Sequence, residues 1–168
     1  GSILSDSVSI SEYLEEAYGD RPLIGEGLSQ RAEVRRLIAW FDGPFGQTVS
    51  TRLVFEKGIK RYLKSNGPSG PDSGAIRQAK NALHSHLDYI AWLVDRRNWL
   101  AGDDFSFADI TAAVHLSVVD YLGDVPWDTY PLSKEWYARI KSRPSFRSFL
   151  QDRVPGLMPA PHYTDLDF

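Results

Sequence analysis

Apolar residues recur at intervals of three or four along most of this chain, and that interval is typical of amphipathic α-helices. The steadiest run follows Asp72. Its apolar positions are Ile76, Ala79, Leu83, Leu87, Ile90 and Val94. Because the spacing persists over about five turns, this segment is predicted to be the longest helix of the protein.

The N-terminal segment carries a shorter version of the pattern. One helical face is formed by Ile10, Tyr13, Leu14 and Ala17. Gly19 then ends the predicted helix, and the preceding apolar pair Ile3-Leu4 is predicted to be the end of a strand. Residues 20–27 are rich in glycine and charged groups and include a proline, so they are predicted to be a linker at a domain boundary.

Helices are also predicted on both sides of the long central one. Ser29 can cap a helix whose apolar stripe is Val34, Leu37, Ile38 and Phe41. Gly43-Pro44 should break or kink it, because proline lacks a helical N–H donor. Later helices are predicted at 107–122, at 132–141 and from about residue 145, and residues 65–71 are predicted to be a loop. With no alternating strand pattern after residue 5, residues 28–150 are predicted to form an all-α bundle of five or six helices.

The clearest local motif is a helix-capping element at Phe105, Ser106, Asp109 and Ile110. Ser106 at the N-cap and Asp109 three residues later have capping-box spacing, while Phe105 and Ile110 occupy the two hydrophobic-staple positions. Such an element starts a helix and has no catalytic use. We therefore assign these residues a structural role.

Composition excludes several function classes. The net charge of −3 and the isoelectric point near 5.8 give no basic surface for nucleic acid. The absence of cysteine rules out disulfides and thiolate chemistry within this chain, and points to the reducing cytoplasm. No apolar run approaches the roughly 20 residues of a membrane-spanning helix. We expect neither nucleic acid nor membrane as a partner.

Histidine offers no metal site in this sequence. His84 and His86 are two residues apart on a helix, so their side chains point to different faces and cannot share an ion. His115 lies among apolar residues and is predicted to be a hydrogen-bonded core residue. No metal site is predicted.

Two surface features are candidates for partner binding. The first is a cationic stripe of Lys57, Lys60, Arg61 and Lys64 on one helical face, which is either a solvated surface or a contact for an acidic partner. The second is the proline-rich C-terminal tail. It ends with Tyr163, Asp165, Leu166, Asp167 and Phe168. In one interpretation the rings and the leucine only dock the tail on its own domain. In the other they anchor the tail while the two acids face outward to a basic partner.

Several of these segments resemble the glutathione S-transferase superfamily. Residues 99–103 and 105–110 resemble the entry to the buried core helix of its C-terminal domain. Residues 6–14 resemble the acid-serine element in the last helix of its thioredoxin-like domain. The resemblance implies that residues 1–26 are the end of that first domain with its linker, and that residues 27–168 are the C-terminal helical domain with an extended tail.

In that family the acid-serine pair binds the γ-glutamyl end of glutathione. The resemblance places Asp6 and Ser7 in this role, although they can equally well only cap their own helix. The activating Ser, Tyr or Cys of the family would precede Gly1. We therefore expect no catalytic residue in this chain, which alone should be inactive, and glutathione as a cofactor only if the parent protein is a transferase.

A narrower resemblance is to the FzlA family of transferase-like cell-division proteins of alphaproteobacteria. It rests on residues 33–42, 86–93, 120–127 and 161–168. That family is implied to bind the tubulin-like polymer protein FtsZ rather than to conjugate glutathione. We accordingly expect a cytoplasmic, homodimeric, non-catalytic protein that binds FtsZ, with a true glutathione transferase as the alternative.

Overall fold

The computed structural model describes residues 3–20, 22–63, 70–166 and 168. Its α-helices are α1 (Ser7–Tyr18), α2 (Leu28–Trp40), α3 (Thr51–Val54), α4 (Ser73–Val94), α5 (Phe107–Tyr121), α6 (Pro131–Lys141) and α7 (Pro144–Arg147). Two π-helical segments, Phe41–Ser50 and Phe55–Ile59, flank α3, and short 3-10 turns cover Lys60–Tyr62, Trp127–Thr129 and Phe149–Gln151. Within these ranges no helix is both long and apolar enough to cross a membrane. Most of the loop predicted at 65–71 lies outside the described residues.

The all-α prediction is confirmed. Apart from two isolated bridges, Trp99 with Gly102 and Val154 with Leu157, the described part of the chain has no strand pairing. The strand end predicted at Ile3-Leu4 is wrong. These residues form no regular structure and Ile3 is fully exposed, because a strand requires a neighbouring strand for its backbone hydrogen bonds and none of the described residues provides one.

Of the two outcomes predicted at Gly43-Pro44, a break or a kink, the break does not occur. The chain remains helical from Leu28 to Tyr62 by widening into π-helical turns around the proline. At the end of the first wide segment the N–H of Thr51 donates to the carbonyl oxygen of Gly46, five residues back. The Thr48 hydroxyl donates to the Pro44 carbonyl oxygen at 2.6 Å. The wider turn accommodates a residue that cannot donate, at a place where a regular α-helix would kink.

Helix α5 lies at the centre of the bundle, packed against α2, the first π-helical segment and α6. The core around it is rich in rings, and four of the largest fully buried side chains are aromatic: Phe41, Phe45, Trp136 and Tyr137. Burying each such side chain contributes about 1.5–3 kcal/mol. Helix α4 closes one side with the predicted apolar face, although Leu93 is fully buried where Val94 is only partly so.

Asp109 connects the start of α5 to the rest of the core. Its carboxylate is completely buried and accepts hydrogen bonds from the Ser106 and Leu100 backbone N–H groups, both at 3.0 Å. It also accepts from the Ser106 hydroxyl at 3.0 Å and the Trp136 indole N–H at 2.9 Å. Burial raises the pKa of Asp109, and these four hydrogen bonds oppose that shift. The predicted capping box is present, and its acid also holds α6 against α5.

The two staple residues lie on different sides of this element. The Phe105 ring packs edge-on against Trp99, with the Arg143 guanidinium 4.0 Å from its centroid. Ile110 instead faces the groove beside α1.

Candidate functional site

The N-terminus of α1 carries the only non-glycine residue with positive φ in the described chain. Asp6 has φ 76° and ψ 129°, a conformation that L-residues rarely adopt. Its Oδ1 accepts from the backbone N–H groups of Val8 at 3.0 Å and Ser9 at 3.1 Å. Asp6 therefore caps its own helix through one oxygen, and Ser7 beside it lines the adjacent groove. Strained backbone of this kind is concentrated at ligand sites and switches.

The groove lies between α1 and the bundle and has a volume of about 340 Å³. Its walls include Ser7 and Glu12 of α1, together with Asp42 and His115 from the bundle. A bidentate ion pair between Arg35 and Glu12, at 2.7 and 3.0 Å, ties α1 to α2 beside it and lowers the pKa of Glu12.

His115 is hydrogen-bonded as predicted, but it lies at the groove and not in the core. Its side chain is 24% exposed, its Nε2 lies 3.0 Å from Asp42 Oδ1, and its Nδ1 lies 2.9 Å from the Ser50 hydroxyl. Sequence reasoning missed Asp42. The signal was present, since an acid directly before Gly43-Pro44 sits at an irregular turn where side chains commonly reach other elements.

The apolar face of α1 is uncovered. None of its residues is buried in the described structure, and Tyr13, Leu14 and Tyr18 are 47%, 49% and 74% exposed. A helix with one apolar face requires a covering element to be stable. That residues 1–26 belong to a separate domain remains a prediction. The rest of such a domain would cover this exposed apolar face.

The C-terminal tail is docked on the bundle through its apolar residues. Tyr163 is buried and its hydroxyl lies 3.0 Å from that of Ser117 in α5, while Leu166 and Phe168 pack against the core. Asp165 is on the exposed side. Asp167, the second predicted acid, lies outside the described residues. The docking part of the tail prediction agrees with this geometry.

A buried charge cluster holds the end of the tail. Asp120 is completely buried and accepts from the Trp127 indole N–H and from His162 Nε2, both at 2.8 Å. Lys141, equally buried, places its ammonium 3.8 Å from Asp120 Oδ2 and 3.8 Å from the Phe168 ring centroid. Burial lowers the pKa of Lys141. A buried lysine cannot be distinguished from an exposed one by helical periodicity, so this cluster could not be predicted from the sequence.

Charges in the predicted cationic stripe are largely used within the chain. Lys57 pairs with the buried carboxylate of Asp124 at 2.7 Å, and Lys60 pairs with Glu56 at 2.8 Å. Arg61 is exposed and lies over the Tyr62 ring. Lys64 lies outside the described residues. Arg61 is thus the most accessible described member of the stripe.

The remaining histidines have separate partners, as the sequence predicted. His84 Nδ1 lies 2.9 Å from the Tyr130 hydroxyl, whereas His86 Nδ1 accepts from the Trp40 indole N–H at 3.1 Å. No cluster of metal-binding side chains occurs in the described ranges.

An exposed aromatic surface joins α2 and α4, and we call it the Trp-Arg patch. It consists of Arg36, Trp40, Tyr89, Trp92 and Arg96. Arg36 donates to the Tyr89 hydroxyl at 2.7 Å and forms a bidentate ion pair with Glu33. Tryptophan, tyrosine and arginine are the residues most enriched at the centres of protein interfaces.

Comparison with known proteins identifies the scaffold. The glutathione S-transferase C-terminal domain family model matches residues 55–144. FtsZ-localized protein A of Caulobacter vibrioides is 48% identical over 166 residues, which cover 99% of this chain and 72% of that protein. Glutathione S-transferase GstB of Escherichia coli is 28% identical over 149 residues, covering 86% of this chain and 66% of GstB.

Solved structures agree. A crystal structure described as a glutathione S-transferase from Rhodospirillum rubrum is 53% identical, with a TM-score of 0.94 over 100% of this chain and 74% of that one. FzlA from C. crescentus is 48% identical, with a TM-score of 0.93 over 99% of this chain and 73% of that one. The chain therefore belongs to the glutathione S-transferase family and carries its C-terminal helical domain.

Proposed function

We propose that the protein containing this chain uses the transferase scaffold for interaction rather than catalysis. It binds FtsZ in the cytoplasm and regulates FtsZ filaments during bacterial cell division. The observation that carries this proposal is the 48% identity, over nearly the whole chain, to a protein named for its localisation with FtsZ. No catalytic residue is assigned within this chain.

The proposed contact surface is the docked tail. Tyr163, Leu166 and Phe168 fix its course on the bundle, which lowers the entropy lost when a partner binds it. Asp165 on its exposed side, together with Asp167, would meet a basic patch on the polymer. Arg61, with Lys57 and Lys60 beside it, is a secondary candidate, because the ion pairs of the two lysines must be weakened before they can bind a partner.

Co-sedimentation of the full-length protein with FtsZ polymers tests this surface. Asp165→Lys and Asp167→Lys should each reduce the fraction that pellets, because the reversed charge repels a basic patch. The matched control is Asp104→Lys. Asp104 is an exposed acid just before the N-terminus of α5, at the end of that helix away from the tail, so this variant should pellet like wild type. If the tail variants fold normally and pellet like wild type, the tail is not the contact.

We further propose a homodimer that pairs through the Trp-Arg patch. The patch combines exposed rings with two guanidinium groups, and that of Arg36 is already held in place by Glu33 and Tyr89. Trp92→Ala should therefore shift the full-length protein towards monomer in analytical ultracentrifugation. The tail variants should leave its mass unchanged.

Glutathione transfer is the second candidate function, favoured by the name of the 53% identical Rhodospirillum protein and by the groove at Asp6 and Ser7. In that case Asp6 Oδ2, which takes no part in the two cap bonds, would accept from the γ-glutamyl amine of glutathione. Retention of the full-length protein on immobilised glutathione, lost in Asp6→Ala, supports this candidate. If neither the wild-type protein nor Asp6→Ala is retained, that result argues against glutathione transfer.

A further inference from the structure

A second cavity, separate from the groove beside α1, lies between α5, the second π-helical segment and the loop that leads into the tail. Its volume is about 350 Å³. The walls are Val54, Gly58 and Ile59 on one side, Val118, Tyr121 and Leu122 of α5 on another, and Phe149, Val154, Leu157 and Tyr163 from the C-terminal segment. Volumes of this size are typical of small-molecule sites, and an apolar cavity of about 150 Å³ already admits benzene.

The hydroxyl groups around this cavity are already used by the protein. Tyr121 donates to the Leu157 carbonyl oxygen at 2.6 Å and accepts from the Val154 N–H at 3.1 Å. Tyr163 is bonded to Ser117, and Tyr62 donates to the Pro155 carbonyl oxygen at 2.7 Å. With these groups engaged, the interior offers a ligand ring faces and alkyl groups in place of hydrogen-bond partners.

The mouth of the cavity leaves apolar surface in water. Ile59, Phe149 and Val154 are 47%, 38% and 49% exposed, although all three line a concave site. Covering such surface is favourable by about 25 cal/mol per Å². An apolar body that fills the cavity therefore gains affinity both inside and at the rim.

One charged residue lines the cavity. Asp152 is exposed at the mouth and has no ion pair among the described residues. The neighbouring Arg153 is turned to the backbone, donating to the carbonyl oxygens of Leu150 at 3.0 Å and Asp152 at 2.8 Å. Arg61, which precedes the lining residue Tyr62 in the sequence, lies over the Tyr62 ring. The lining charge that a ligand meets is thus a carboxylate.

We propose that this cavity binds a small amphipathic cation, which is a compact apolar or aromatic body carrying one protonated amine. The apolar body occupies the space between Val54, Val118 and Leu157, and the ammonium group lies at the mouth beside Asp152. The proposal does not rest on the proposed FtsZ function, although the docked tail contributes Tyr163 to this site. Because Val154, Leu157 and Tyr163 form part of the wall, the site is complete only when the C-terminal segment is docked.

Three probes with the same ring system test both halves of the proposal: 1-naphthylmethylamine, 1-naphthylmethanol and 1-naphthylacetate. Titration calorimetry with the full-length protein should give saturable binding of the amine. The alcohol should bind more weakly by about 1.4-fold to fivefold, the range expected for one exposed ion pair, and the acetate more weakly still. Asp152→Asn should reduce amine affinity to that of the alcohol and leave the alcohol unchanged.

Paired substitutions on α5 locate the binding. Val118→Phe places a ring in the cavity and should lower the affinity for the amine at least about tenfold, the effect of filling an apolar site. Val114→Phe, one turn earlier on the same helix and facing the other groove, should leave it unchanged. Hydrogen exchange should show that saturating amine protects residues 154–163.

Four results would overturn the proposal. They are no saturable binding by any of the probes, equal affinity for all three, loss of binding in Val114→Phe in place of Val118→Phe, or protection confined to α1. Light scattering adds one more check, since a second copy seated in the cavity would make the probe lower the oligomeric mass. An unchanged mass is expected.

Discussion

Asp109 is the residue at which a single substitution should disturb this domain most. It is fully buried and accepts four hydrogen bonds, from two backbone N–H groups, one hydroxyl and one indole. Asp109→Ala removes the acceptor of all four donors, which are buried on Leu100, Ser106 and Trp136. Each such donor costs about 1–3 kcal/mol, and the costs are not fully additive. We expect a loss of about 3–5 kcal/mol in the free energy of unfolding, towards the lower end of what the separate donor costs would sum to.

Ser106→Ala is the natural comparison because it removes the other half of the capping box. Only the cap is lost, since the Ser106 backbone N–H can still donate to Asp109. The expected cost is about 0.5–2 kcal/mol. Asp104→Ala, an exposed acid two residues earlier, is the control and should change the free energy by less than about 0.5 kcal/mol.

Equilibrium unfolding in urea, followed by circular dichroism and tryptophan fluorescence, gives all three values. The two signals should report the same midpoint if unfolding is two-state. The prediction is wrong if Asp109→Ala loses no more unfolding free energy than Ser106→Ala. That result would mean that the aspartate acts only as a cap and does not hold α6 to α5.

Two further predictions concern buried hydrogen bonds. Burial lowers the pKa of His86, whose Nδ1 accepts from Trp40, so the unfolded chain binds the proton more readily than the fold. The free energy of unfolding should therefore fall as the pH drops below about 6.5, and level off once the pH passes the lower pKa of the folded state. Urea midpoints measured from pH 7.5 to 5 should depend less steeply on pH in His86→Gln than in wild type. The same pH dependence in both proteins would contradict this. Tyr163→Phe removes the hydroxyl that pairs with the buried Ser117 hydroxyl and should cost about 1–3 kcal/mol of unfolding free energy. In a double-mutant cycle, adding Ser117→Ala should recover part of that loss. The prediction is wrong if the losses of the two single variants simply add.

The helices could be predicted from the sequence because each buries one apolar face. The pattern through Leu83 and Leu87 is set by the 3.6-residue period, and the observed helix Ser73–Val94 starts where Asp72 caps it. The effect of Pro44 on the helix could not be predicted in the same way. Whether a proline breaks a helix or is accommodated depends on what supports the wider turn, here the hydrogen bond from Thr48 and the packing against α4 and α5.

The site was less predictable, because tertiary contacts decide it. Capping spacing identified Asp109, yet only the packing of α6 shows that Trp136 also donates to it. Lys57 and Lys60 were correctly placed on a helical surface, but their acidic partners could not be deduced from periodicity. Lys141 looks like any surface lysine in the sequence, yet it is buried in contact with the tail residue Phe168.

Two relatives with similar identity to this chain carry names that imply different functions. One relative is named for localisation with FtsZ, while a structure of comparable identity is described as a glutathione S-transferase. A shared fold does not by itself assign a shared function. The difference must be settled by binding measurements on the full-length protein.

The most direct test is co-sedimentation of the wild-type full-length protein with assembled FtsZ, using E. coli GstB, the 28% identical relative, as a control of the same family. We expect the protein to pellet with polymer in a saturable manner and GstB to stay in the supernatant. If the protein remains in the supernatant at concentrations that saturate the polymer, or pellets no more than GstB, the proposed FtsZ function is wrong.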